Sequence, residues 1–125
     1  MHTILYYPKS WYNYTATALK QIINGCGPGG WKIDLVPDSI FGCDISMACN
    51  IHDFMYHMGS TIEDKDRADR VFLNNMSRLV MRDSYNWYSK WLMYLRLHYV
   101  KRYYQAVSIF GGSAFWDSKE DDTDD

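Results

Sequence analysis

The chain predicts an all-α fold, and three observations carry that prediction. Apolar residues recur at helical spacing, most clearly Ala68, Val71, Phe72, Met76, Leu79 and Val80. Capping residues stand where the periodic stretches begin and end. Glycine and proline gather in residues 25–43 and break any periodicity there. No pair of alternating apolar runs argues convincingly for paired strands.

Four helices follow in order. The first covers residues 11–24, with Ser10 as its cap and Ala18 and Ile22 on its inner face. Residues 25–43 read as loop, with Pro28, Pro37 and the turn-like Pro37-Asp38-Ser39. Asp44 caps a second helix that runs to Met58 and ends at Gly59. Ser60-Thr61-Ile62-Glu63 has the form of a capping box and opens a third helix through Arg82. The turn between helices two and three is short, so they should pack antiparallel. A fourth helix covers 85–109 and stops before Gly111-Gly112.

A length of 125 residues suits one domain, residues 1–116, followed by an acidic tail, 117–125. That tail holds six acids and one base, so a chain of net charge −2 has a body of about +3. Met1-His2-Thr3-Ile4-Leu5 lacks the basic start and apolar core of a signal peptide, which predicts a cytoplasmic protein, or a secreted one if a leader is missing. No run of apolar residues is long enough for a transmembrane helix. Three cysteines, Cys26, Cys43 and Cys49, are too few for a disulfide scaffold.

The chemistry-bearing residues cluster. In Cys49-Asn50-Ile51-His52-Asp53-Phe54-Met55-Tyr56, a helix puts His52 and Tyr56 on one face and turns Asp53 about a quarter-turn away. Histidine moves protons near neutral pH, and a carboxylate is a hard oxygen ligand suited to calcium. Upstream stands Gly25-Cys26-Gly27-Pro28-Gly29-Gly30, and downstream Asp69 shares a face with Phe72, Leu73 and Met76. A charge in such company is costly unless something pairs with it. Plainer readings are a packing histidine, a glycine-rich turn, and an acid complementing the helix dipole.

Together these motifs resemble the phospholipase A₂ superfamily over roughly residues 24–76. The glycine run matches X-Cys-Gly-X-Gly-Gly; Cys49, His52, Asp53 and Tyr56 stand at the offsets of Cys-X-X-His-Asp-X-X-Tyr. Residues 37–56 are similar to the prokaryotic branch, as is Asp69-Arg70 followed by Phe72 and Met76, and Asn24-Gly25-Cys26-Gly27 is similar to the branch called group XII. The resemblance implies two antiparallel catalytic helices, flanking helices and a calcium-binding loop. It also implies Ca²⁺ held by the carbonyls of Gly25, Gly27 and Gly29 and by Asp53, and a bond between Cys26 and Cys49. His52 would be the base that draws a proton from water, oriented by Asp69; Tyr56 would hold Asp69, and the Gly27 amide would assist the oxyanion. The implied activity is calcium-dependent hydrolysis of the sn-2 ester of a glycerophospholipid. A second supporting tyrosine has no match in this chain, and the segment from Gly30 to His52 is longer than in common secreted members.

The fourth helix is rich in aromatics. Leu92, Leu95, Tyr99, Ala106 and Phe110 form an expected core stripe; Lys90, Tyr94, Leu97, Lys101 and Tyr104 mix aromatic with basic groups. Such a face suits a phospholipid membrane surface, a two-sided core or an oligomer contact; no recognised nucleic-acid module accompanies it. Two other functions compete: a catalytically silent, phospholipase-like lipid-binding or toxin module, and an HD-type metal phosphohydrolase. The latter needs a further upstream histidine, and His2 alone precedes His52.

Overall fold

The computed structural model describes residues 5–23, 36–83 and 90–116. Among them the regular structure is helical apart from one short hairpin. A 3₁₀ turn, Lys9–Asn13, leads to α1, Ala16–Ile22; β1, Ser39–Ile40, and β2, Cys43–Asp44, precede α2, Ser46–Met58, then α3, Ile62–Arg82, and α4, Lys90–Phe110. None of these helices is long and apolar enough to cross a membrane.

The expected first helix is divided. Thr15 has extended backbone and its side chain accepts the Ala18 amide at 3.1 Å, so the α-helix begins at Ala16 and Ser10 caps nothing. A threonine that satisfies a first-turn donor makes a better start than continued helix through Asn13 and Tyr14.

The expected loop over 25–43 contains the hairpin, with Ser39 opposite Asp44 and Ile40 opposite Cys43. Its turn residues, Phe41 and Gly42, both have positive φ (46° and 81°), the conformation a two-residue hairpin needs to match strand twist. Glycine takes that geometry freely; phenylalanine rarely does. Arg96 of α4 holds the turn by donating from Nε to Ile40 O at 3.1 Å and from its terminal nitrogen to Phe41 O.

α2 starts at Ser46, because the Asp44 carboxylate accepts both the Ser46 amide (2.8 Å) and its hydroxyl (2.6 Å). These bonds hold the Asp44 carboxyl below its usual range. Gly59 ends the helix in extended backbone, so its value is room: a Cβ there would lie 2.9 Å from that of Asp64 and 3.1 Å from the Phe115 ring. The capping box stands one residue later than expected, with Thr61 accepting the Asp64 amide and Asp64 accepting those of Ser60 and Thr61.

α3 lies between α2 and α4 and packs on both. As α2 runs from His52 to Tyr56, its partners on α3 step back from Phe72 to Ala68, so the two are antiparallel as expected. The stripe Ala68, Phe72, Met76, Leu79 and Val80 is buried, joined by Ile40, Cys43, Ile45, Ala48 and Cys49. α4 departs from expectation. Its buried line is Arg96, Val100 and Val107, with Met93, Leu97 and Tyr103 beside it, whereas Tyr99 and Phe110 are exposed. Arg96 can face inward because the hairpin carbonyls satisfy it, and the short valines allow close approach. Gly111 does not adopt the left-handed conformation of a helix stop, and helix resumes over 112–116.

Candidate active site between α2 and α3

Antiparallel packing brings the three α2 and α3 residues together. His52 Nε2 donates to Asp69 Oδ1 at 2.8 Å, and the Tyr56 hydroxyl donates to the same oxygen at 2.6 Å. A carboxylate that accepts from Nε2 fixes the tautomer, so the basic nitrogen of neutral His52 is Nδ1. The imidazole stacks on Phe72 at 4.5 Å and lies 4.1 Å from the Tyr56 ring, so packing fixes its plane as well. His52 and Asp69 are each 1% exposed.

Lys65 completes the group, and sequence reasoning passed over it. Its ammonium donates to Asp69 Oδ2 at 2.7 Å and reaches Val107 O (3.1 Å) and Ser108 O (3.4 Å) at the end of α4. It is buried, and it also lies 5.8 Å from the centre of the Tyr56 ring. Lys65 stands four residues before Asp69, on the stripe of Ala68 and Phe72, and that spacing was the available signal. It binds the carboxylate oxygen that His52 and Tyr56 leave to it.

The electrostatics follow from these bonds. Burial alone would raise the Asp69 carboxyl, but the hydrogen bond and charge of His52, then the bonds from Lys65 and Tyr56, hold it below its usual range. Burial, and after it the charge of Asp69, pushes the Tyr56 phenol up, so it remains a donor. The site can therefore keep an imidazole oriented beside an ionised carboxylate without titrating either support near neutral pH.

The end of α4 and the residues after it close one side of the site. The Phe115 ring meets Tyr56 edge-on at 5.3 Å, and a Cβ on Gly111 would lie 2.6 Å from the Tyr56 hydroxyl and collide with Val107 O. We expect Gly111→Ala to displace that hydroxyl from Asp69 and lower stability by about 1–3 kcal/mol. Thermal unfolding checks it: an unchanged midpoint means that α4 yields freely there.

The metal-binding residues expected from sequence are only partly in view. Asp53 is half-buried on α2, one turn beyond Cys49 on the same face. Cys49 is disulfide-bonded. Gly25, Gly27, Gly29 and the expected disulfide partner Cys26 lie outside the described residues. Among the described residues no three His, Cys, Asp or Glu groups converge on a metal position. Cys43 is a free, buried thiol that donates to Leu79 O at 3.6 Å. Burial and the hydrogen bond and charge of Asp83 push it up to about 11, so it packs as a thiol and is no nucleophile at neutral pH.

Comparison with family models, with curated proteins and with solved structures returns no match to this chain.

Proposed function

We propose that the protein hydrolyses the sn-2 acyl ester of glycerophospholipids with the help of calcium. The observation that carries this reading is the Asp69 carboxylate on His52 Nε2, with Tyr56 on the same oxygen. That arrangement directs the lone pair of Nδ1 away from its support, as a general base that takes a proton from water requires. Asp69 and Tyr56 act through His52 and are positioning residues.

The donor chemistry around Asp53 fits a hard cation. One half-buried carboxylate, together with main-chain carbonyls of the glycine run, would make an all-oxygen set of the kind calcium takes. Asp53 and the carbonyls of Gly25, Gly27 and Gly29 would hold Ca²⁺, with the Gly27 amide beside the oxyanion. When bound, calcium polarises the ester carbonyl and stabilises the charge that develops on it.

The outer face of α4 supports work at a membrane surface. Trp91, Tyr94 and Ile109 are exposed, as are Lys90, Lys101 and Arg102, and the helix carries no acid. Aromatic rings with neighbouring cations favour the headgroup region of an anionic bilayer.

A second reading has its own observation. His52 and Asp69 are almost wholly enclosed and Lys65 saturates the carboxylate, as in a network that only holds helices together. That describes a catalytically silent, lipid-binding module. Vesicles of mixed phospholipids, incubated with the protein with and without a calcium chelator, separate the two. Fatty acid released only in the presence of calcium supports hydrolysis; calcium-dependent vesicle binding without release supports the silent module.

A further inference from the structure

An open cleft of about 400 Å³ lies between the amino-terminal segment and the α2–α3 turn, away from the dyad. Its volume falls within the roughly 300–1,000 Å³ of small-molecule sites. On α2 the lining residues Phe54 and Met58 point away from His52 and Tyr56, Met55 lies at the border beside Tyr56, and none of His52, Tyr56 and Asp69 lines the cleft.

The floor is apolar and adaptable. Met55, Met58 and Pro8 form it over the buried Phe54, which the rings of Trp11 at 5.2 Å and Tyr14 at 5.5 Å brace. Methionine conforms readily to flexible chains. The rim is charged. Arg67 is held over the Tyr6 ring and donates to its hydroxyl at 2.8 Å, and Lys9 is exposed beside it. Among the described residues neither cation has a carboxylate partner. Asp64 also lines the cleft, but one of its oxygens accepts two backbone amides, which hold its carboxyl low and commit it to the α3 cap. Two cations therefore face one committed anion above an apolar floor.

We propose that this cleft binds an anionic amphiphile, its single apolar chain on Met55, Met58 and Pro8 and its head between Lys9 and Arg67. A carboxylate or a phosphate monoester would serve as the head, since a guanidinium pairs with either in two parallel hydrogen bonds. The proposal does not depend on hydrolysis at His52.

The test uses the full chain and four monomeric probes: decanoate, decyl phosphate, decanol and decyltrimethylammonium. Calorimetry should detect binding of one or both anions, and amide shifts should centre on residues 6–10, 54–59 and 64–67. Binding of decanoate alone or decyl phosphate alone identifies the head. Lys9→Gln with Arg67→Gln should weaken anion binding by roughly tenfold or more. Arg67→Lys, which keeps the charge but loses the paired hydrogen bonds, should fall between the parent and the double variant. Lys9→Gln alone, at an exposed residue, carries the test if the Arg67 variant loosens the amino-terminal segment. Decanol binding as tightly as the anions, shifts centred on α4, or no binding by either anion would each overturn the proposal.

Discussion

His52→Gln should reduce fatty-acid release by roughly 10²–10⁴-fold, the usual contribution of a positioned general base. Glutamine can still donate to Asp69, but it has no nitrogen lone pair that takes a proton near neutral pH. Because His52 is enclosed and stacked on Phe72, the change should also lower stability by about 1–3 kcal/mol, and activity must be expressed per folded molecule. Asp53→Asn should behave differently. It removes the charged member of the proposed oxygen set, so the calcium concentration for half-maximal release should rise while activity at saturating calcium partly survives. Full release by the His52 variant sinks the base assignment. An unshifted calcium titration for the Asp53 variant sinks the metal assignment and leaves the base untouched.

Parts of this molecule were legible before any coordinates. Helices α2 and α3 declare themselves because Gly59 and Thr61 punctuate a clear apolar stripe, and antiparallel packing then makes a His52–Asp69 meeting nearly unavoidable. Tyr56 follows from its i, i+4 relation to His52. Lys65 was hidden by a sound general rule: lysine is almost never buried, and only Asp69 together with the carbonyls ending α4 makes an exception possible here. Arg96 escaped for the same reason, and with it the true buried line of α4. The hairpin turn was illegible because Phe41 occupies a positive-φ position where asparagine or glycine would have announced it. Both cations also need carbonyl acceptors from distant segments, which no local pattern records, although the i, i+4 spacing of Lys65 and Asp69 is a local signal.

The enclosed charges set the second large expectation. Asp69→Ala should destabilise the protein by about 3–5 kcal/mol, because it strands a buried ammonium along with the His52 and Tyr56 donors. Lys65→Met should cost less. It bares only Oδ2, while His52 and Tyr56 still hold Oδ1, and methionine refills most of the space. The two changes share a partner, so the double variant should fall well short of the sum. Acid adds a sharper test. The Asp69 carboxyl titrates lower in the folded chain than in the unfolded one, where it lies near 3.9. Its contribution is therefore fully present above about pH 4 and disappears as pH falls through the folded value. Urea unfolding of the parent protein and of Asp69→Asn should accordingly differ most near neutral pH and converge in acid. A gap between them that stays constant from pH 7 to about pH 2 would show that Asp69 is not the ionised centre of the network.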